Sequence, residues 1–125
     1  MTGEAEFAVA RELYAAFQTG DEDRIEAVLA PDVEWHNAPE AIEPGIRRGR
    51  EEFLGVVARL QETWDYGDDV RVEVFDAGEE VGVDVFVQVS GRGSGVRLPG
   101  HFRHYLIVRD GRVARLRWEV LPDRG

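Results

Sequence analysis

Four side chains in this sequence belong to residue types that serve acid–base catalysis. His36 lies in the stretch "VEWHNAPEAIEPG", while Arg103, His104 and Tyr105 follow one another in "HFRHYLIV". Imidazole titrates near neutral pH, so both histidines are candidate general bases. A buried arginine needs an anionic partner such as a substrate carboxylate or enolate, and a tyrosine can donate to a carbonyl. Two stretches of the sequence therefore offer a candidate catalytic set.

The composition of the chain excludes several other kinds of chemistry. There is no cysteine, and all fifteen basic residues are arginine, so thiolate nucleophiles, Schiff-base lysines and P-loops are excluded. His101 and His104 are three residues apart, which on a strand directs their rings to opposite faces and disfavours a shared metal ion. The net charge of -10 disfavours nucleic acid. We therefore predict no metal, no other cofactor and no nucleic-acid partner.

Three amphipathic helices are predicted in the first half of the chain. Over residues 4–18 apolar side chains recur every three or four positions, and Gly20 supplies the stop. A short second helix is predicted between the N-cap Asp21 and Pro31. The extended segment "VEW" and a loop over residues 37–49 then lead into a third helix from about Arg50 to Thr63.

The second half of the chain has the two-residue period of strands. Strands are predicted over 70–75, 81–90, 96–108 and 112–121, separated by the turns "DAGEE", "GRGSG" and "RDG". Helices followed by an antiparallel meander predict an α+β fold in which the helices cover one face of a curved sheet. We expect a single domain over residues 1–125. The acidic N-terminus and the lack of a spanning apolar run predict a cytoplasmic protein with no membrane partner.

Alternation along the strands predicts which side chains line the interior. On the second of these strands Asp84, Phe86 and Gln88 are expected on the outer face, where Phe86 suggests a dimer contact. Two apolar sets are expected to face inward: Val83, Val85, Val87 and Val89, and on the last strand Ala114, Leu116, Trp118 and Val120.

Several stretches, in this order, resemble one known family: "LYAAFQTGDEDRIEAVLAPDVEWH", "GREEFLGVV", "GRGSGV" and "HYLIVRDGRVARLRW". They are similar to the SnoaL-like, ketosteroid-isomerase-like branch of the nuclear transport factor 2 (NTF2)-like superfamily, over nearly the whole chain. The resemblance implies the NTF2-like or cystatin-like cone: a strongly curved antiparallel sheet wrapped around three N-terminal helices. It also implies an apolar pocket and a homodimer formed through the outer sheet face. The same cone hosts isomerases, cyclases, dehydratases, epoxide hydrolases and binding modules.

The catalytic residues of ketosteroid isomerases are not matched in this chain. By the resemblance, their Asp base falls at Asn37, their oxyanion-stabilising Tyr at Leu13 with Tyr14 beside it, and their protonated Asp at Arg103 or Gly100. An amide is no base at neutral pH, so steroid-type isomerisation by that mechanism is not expected. The Arg and Asp two apart that epoxide hydrolases use are also missing. Scytalone-dehydratase-like members use two His with Tyr and Asp around a water. This chain contains residues of these types, but no distinctive motif supports that activity.

The register of the histidine-bearing strand decides which of its side chains enter the pocket. The register that the resemblance implies, pinned on the "RDG" turn, places Arg103 and Tyr105 inside, whereas alternation alone also allows His104. We favour Arg103 as the inward residue. A salt bridge from Arg103 to Glu34, Glu43 or another acidic residue is the alternative to a substrate anion.

A small hydrophobic, oxygenated molecule is the ligand that these features predict. One hypothesis is an enzyme of proton transfer, cyclisation or dehydration; the other is a non-catalytic ligand-binding or dimerisation module. A titratable group with a perturbed pKa facing open volume would favour the enzyme. The candidate catalytic residues are His36, Asn37, Arg103, His104 and Tyr105. The candidate ligand-binding residues are Leu13, Tyr14, Phe17, Trp35, Phe53, Val85, Val87 and Trp118.

Overall fold

Three helices and a curved, unclosed sheet make up the described part of the computed structural model, which comprises residues 3–38, 45–65, 70–91, 93–95 and 97–120. The helices are α1 (Glu4–Thr19), α2 (Glu22–Ala27) and α3 (Arg50–Thr63). The strands are β1 (Leu29–His36), β2 (Ile46–Arg48), β3 (Trp64–Asp65), β4 (Arg71–Ala77), β5 (Glu80–Gly91), β6 (Arg97–Arg109) and β7 (Arg112–Val120). The α+β class expected from the sequence is confirmed.

Helix α1 ends and helix α2 begins at the residues expected from their chemistry, but α2 ends at Ala27 instead of continuing to Pro31, which lies in β1. Gly20 has a left-handed backbone with φ of 71°, and its N–H donates to the carbonyls of Ala16 and Phe17. Asp21 then caps α2 by accepting a hydrogen bond from the backbone N–H of Arg24 at 3.2 Å. This tight connection folds α2 back beside α1. None of the helices in the described ranges is long and apolar enough to cross a membrane.

The strands form one sheet in the order β2-β1-β7-β6-β5-β3, and β4 also pairs with β5. Strands β4 to β7 are the antiparallel meander that the sequence predicted. The first strand is longer than "VEW", and it pairs in parallel with β7 and antiparallel with β2. Strand β2 lies inside the segment 37–49 that was predicted to be only a loop. The sheet as a whole is therefore mixed.

The core lies between the inner face of the sheet and the helices. Val83, Val85 and Val87 of β5 and Ala114 and Leu116 of β7 are buried there, as alternation predicted. On the opposite face of β5, Asp84 and Phe86 are half-buried and Gln88 is exposed. Trp118 is half-buried and packs against the core cluster. The side chains of Val89 and Val120 lie outside the described part of the structure.

Candidate functional site

A cavity of about 370 Å³ opens between the helices and the inner face of the sheet. Helix α1 closes one side with its C-terminal half, α3 closes another, and β1, β5 and β6 form the wall opposite. Most of the wall is hydrocarbon or aromatic, which favours an apolar ligand. The described residues that line it are Tyr14, Phe17, Gln18, Thr19, Gly20, Trp35, Val57, Leu60, Gln61, Val70, Val85, Val87 and His104.

Five of the predicted ligand-binding residues surround this cavity: Tyr14, Phe17, Trp35, Val85 and Val87. They come from α1, β1 and β5, which the fold brings together around one volume. Each of these residues lies on the apolar stripe of its helix or strand, which is the pattern from which the sequence predicted that it faces inward. That they contact a ligand stays a prediction.

Three other predicted ligand-binding residues lie away from the cavity wall. Leu13 and Phe53 are fully buried in the core, and the Phe53 ring packs edge-on against Trp35 with ring centroids 5.1 Å apart. Trp118 packs against Phe102, with centroids 6.4 Å apart. Phe53 therefore supports the wall from behind. Leu13 shows that the tyrosine position inferred from the resemblance is displaced by one residue, because Tyr14 is the one that reaches the cavity.

One polar feature of the cavity wall is a hydrogen bond between two titratable side chains. The hydroxyl of Tyr14 and Nδ1 of His104 are 2.5 Å apart, and the two rings are tilted by 40°. Tyr14 is oriented by the helix, where Phe17 packs edge-on against it at 5.4 Å. His104 stands opposite Val83 and Trp118 in the sheet, on the same face of β6 as the buried Leu106.

Burial sets the protonation states of this pair. It lowers the pKa of His104 to about 4 and raises the pKa of Tyr14 well above its usual value. Both side chains are therefore neutral at physiological pH. A histidine with a strongly perturbed pKa that lines open volume favours an enzyme site over a simple binding pocket.

The inward orientation predicted for Arg103 is wrong. Its Nε donates to Oδ1 of Asp84 at 2.8 Å on the outer face, and its guanidinium lies over the ring of Phe75 at 5.2 Å. Burial raises the pKa of Asp84, but hydrogen bonds from Arg103 and His101 outweigh it and leave the pKa lowered. The partner of Arg103 is thus an acidic residue, as the alternative required. It is Asp84 rather than Glu34, and the other acidic candidate, residue 43, lies outside the described residues.

Tyr105 also faces outward, contrary to its predicted place in the pocket. Its hydroxyl donates to Glu119 at 3.2 Å, and the guanidinium of Arg117 lies 3.9 Å from the centre of its ring. The cause of both errors is a β-bulge beside the "RDG" turn. Ile107 and Val108 pair with Arg115 and Val113, which leaves one extra residue between them on β7. If the pairing of β6 with β7 is counted from the turn without this bulge, it is offset by one residue. Every side chain of β6 is then assigned to the wrong face.

The two candidate residues at the end of β1 differ in surroundings. His36 forms a hydrogen bond from Nε2 to Glu34 at 2.9 Å, and it is not among the described residues of the cavity wall. The Oδ1 of Asn37 accepts from the indole N–H of Trp35 at 2.6 Å and from that of Trp118 at 3.2 Å. Asn37 therefore ties a cavity-lining tryptophan to the last strand.

Sequence reasoning named Tyr14 and His104 separately and missed that they meet. They are 90 positions apart in the chain, and nothing in the local pattern of either predicts the contact. It also missed the polar end of the cavity, where Thr19 donates to the Ala16 carbonyl and Gln61 donates to the Phe17 carbonyl. Over the described ranges, no three His, Asp or Glu side chains lie close enough together to hold a metal ion.

Comparison with known proteins gives one family and many similar structures. The SnoaL-like domain family matches residues 10–116. An NTF2-like protein from Burkholderia xenovorans LB400 superposes with a TM-score of 0.81 at 22% identity, covering 97% of this chain and 92% of its own. A candidate polyketide cyclase from Xanthomonas campestris pv. campestris gives 0.74 at 23% identity, covering 92% and 89%. A candidate isomerase from Rhodopseudomonas palustris gives 0.75 at 16% identity, covering 96% and 91%. No curated protein matches the sequence.

Proposed function

Because this chain belongs to the SnoaL-like family and has the NTF2-like fold, we propose that it binds a small apolar, oxygen-bearing molecule and catalyses proton transfer on it. Reactions of this class include isomerisation, cyclisation and dehydration. The observation that supports the proposal is the Tyr14–His104 hydrogen bond on the wall of an otherwise mostly apolar cavity. The apolar wall selects a ligand by shape, and the polar pair orients its oxygen atom.

The size and charge of the cavity define the class of ligand. A volume of about 370 Å³ lies at the lower end of small-molecule sites, which span roughly 300–1,000 Å³. Apart from Tyr14 and His104, the described lining residues have no titratable side chain, so a charged ligand would be buried without a counter-ion. A neutral, largely apolar molecule with one or a few oxygen atoms is the best fit.

Two considerations favour an enzyme over a passive binding module. Hydrogen-bonded groups with perturbed pKa values are concentrated at catalytic sites, and His104 has a pKa of about 4. The similar structures from Xanthomonas campestris and Rhodopseudomonas palustris are named as a candidate cyclase and a candidate isomerase. At these identities the likeness supports the fold alone, so catalysis depends on the residues of this chain.

A thermal-shift screen against aromatic ketones, steroids and terpenoids tests the ligand proposal with a matched pair of variants. Val87→Phe fills the cavity, whereas Gln88→Phe adds the same side chain one residue away on the exposed face of β5. A ligand at 100 times its Kd stabilises the native state by about 2.7 kcal/mol. We expect a rise in Tm for the wild type and for Gln88→Phe, and its loss in Val87→Phe. A rise of equal size in Val87→Phe would place the ligand elsewhere.

We also propose a homodimer formed through the outer sheet face. Phe86 is half-buried there between Arg71, whose guanidinium lies 4.3 Å from the ring centre, and His101, whose ring is stacked at 4.3 Å. A second copy placed against this aromatic cluster would complete its burial. Sedimentation equilibrium at micromolar concentration should give a dimer for the wild type and a monomer for Phe86→Glu. A wild-type protein that stays monomeric contradicts this proposal and leaves the cavity proposal intact.

A further inference from the structure

Asn37 lies where β1 leaves the sheet, and its side chain joins two strands that are far apart in the sequence. Its Oδ1 accepts a hydrogen bond from the indole N–H of Trp35 on β1 at 2.6 Å and from that of Trp118 on β7 at 3.2 Å. An indole N–H can only donate, so the amide atom between the two indoles must be the oxygen. The orientation of the Asn37 amide is therefore set by its two partners.

The contacts of Asn37 suit a residue that holds its neighbours in place. Its side-chain oxygen has two lone pairs, and the two indoles use both of them. Its backbone N–H donates to the carbonyl of Gly45 at 3.0 Å and so closes the connection between β1 and β2. Asn37 is also not among the described residues of the cavity wall. We therefore assign it no direct contact with a ligand through this oxygen.

One of the two tryptophans lines the cavity, and the other neighbours its polar wall. Trp35 is 5% exposed and lines the cavity, where the Phe53 ring packs edge-on against it at 5.1 Å. Trp118 stands directly opposite His104 in the pairing of β6 with β7, and residues opposite each other in a sheet share a face. The single oxygen of Asn37 thus holds one ring of the cavity wall and one ring beside His104.

We propose that Asn37 is a positioning residue that sets the ligand specificity of the cavity by holding the indoles of Trp35 and Trp118 in place. This inference rests on the proposed function, because it concerns which molecules the cavity accepts. An indole has one polar atom, and a buried indole N–H usually has a hydrogen-bond partner. Without the oxygen of Asn37, the Trp35 ring stays buried with its N–H unpaired or turns towards another acceptor. Either outcome loosens or reshapes the wall.

A fixed aromatic wall discriminates between ligands by their shape and rigidity. The ketones 1-tetralone and 2-decanone have the same number of carbon and oxygen atoms, but the first is a rigid bicycle and the second is a flexible chain. The rigid molecule loses little conformational freedom on binding, and it cannot adapt when a ring of the wall is displaced. The flexible molecule loses more freedom, but it can rearrange around the displaced ring. Removing the oxygen of Asn37 should therefore harm the binding of 1-tetralone more.

Proton exchange of the indole N–H groups, followed by NMR of the ¹⁵N-labelled protein, tests the two hydrogen bonds. Trp35→Phe and Trp118→Phe assign two of the signals, and Trp64 gives the third. In the wild type, the indole protons of Trp35 and Trp118 should exchange with D₂O at least about tenfold more slowly than that of free tryptophan. Asn37→Leu has a similar shape but no acceptor, so both protons should lose this protection. Asn37→Asp keeps an oxygen acceptor and should retain it.

Isothermal titration calorimetry with the two ketones tests the effect on specificity. The ratio of the Kd of 2-decanone to that of 1-tetralone should fall about tenfold in Asn37→Leu and stay within about twofold of the wild type in Asn37→Asp. An unchanged ratio in Asn37→Leu makes Asn37 a purely structural residue and overturns the proposal, while ligand binding stands. A wild-type proton of Trp35 or Trp118 that exchanges like free tryptophan also overturns it, whether or not the variants fold. If neither ketone binds to the wild type, the proposed function fails together with this role.

Discussion

The two faces of strand β6 each carry a titratable side chain near apolar residues, but the two side chains differ in charge and in the kind of partner that stabilises them. On the inner face His104 is neutral and hydrogen-bonded to another neutral group, Tyr14. On the outer face the adjacent Arg103 is charged and paired with Asp84. The inner residue gives up its charge because no described group around it can compensate one. The outer residue keeps its charge because a carboxylate and solvent are within reach.

The contrast extends across the sheet. Glu80 accepts from Arg115 at 3.0 Å and from Arg117 at 2.9 Å on the outer face, and hydrogen bonding by Arg117 is the main cause of its lowered pKa. The inner face of the same strands is valine, leucine and aromatic side chains. These outer charges are therefore paired with one another, whereas the inner pair lines an open volume. The proposed function therefore depends on the inner face.

Placing a charge on the inner face should cause the largest loss of stability among the variants that test this contrast between the two faces. Leu106 is fully buried between β5 and β7, and Leu106→Asp would bury a carboxylate among apolar side chains. We expect a loss of about 4 kcal/mol or more in the free energy of unfolding. The matched control Ile107→Asp lies on the outer face opposite Arg115 and should lose about 1 kcal/mol. Urea unfolding measures both; equal losses would contradict the assignment of faces.

Lowering the pH should destabilise the protein through His104. Its pKa is about 4 in the folded chain, below its ordinary value of 6.5, so the unfolded chain binds more protons between these pH values. The contribution of neutral His104 to the free energy of unfolding is complete above the pKa that this histidine has in the unfolded chain. It is lost as the pH falls from about 6.5 towards 4. Allowing for partial exposure, the loss between pH 7.5 and 4.5 should be about 2 kcal/mol.

The variant His104→Asn isolates this effect, because the carboxylates on the outer face titrate alike in both proteins. The difference in unfolding free energy between the wild type and His104→Asn should therefore shrink by that amount as the pH falls. Parallel stability curves for the two proteins over this range would show that His104 keeps its ordinary pKa.

Removing the charge of Arg103 should have the smallest effect. Arg103→Gln breaks the pair with Asp84 but leaves that carboxylate its contact with His101. We expect a loss of about 0.5 to 1 kcal/mol at low ionic strength, and less in high salt, because partly exposed ion pairs are screened. Tyr14→Phe, which breaks the neutral inner contact, should cost about 1 kcal/mol at either salt concentration. Equal salt dependence in the two variants would remove the distinction between the faces.

The sequence predicted the helices, the meander and most of the apolar wall, because these follow from local periodicity. Val85 and Val87 of β5 and Tyr14 and Phe17 of α1 all reach the cavity as the period of their elements requires. The short strand β2 was missed because three residues are too few to show a period. The parallel pairing of β1 with β7 was missed because strand partners distant in sequence leave no local pattern.

The orientation of β6 shows where sequence reasoning ends. Alternation along this strand requires that residues 103 and 104 face opposite ways, but it does not say which of the two faces inward. The bulge on β7 beside the turn decides in favour of His104, and only the pairing of the two strands reveals that bulge. The chain alone thus determined an α+β fold with a curved sheet, its apolar lining and the absence of lysine and cysteine chemistry, and its family resemblance implied the cone. The tertiary structure decided which polar residues meet inside, because a hydrogen bond between Tyr14 and His104 depends on how an entire sheet curves against a helix.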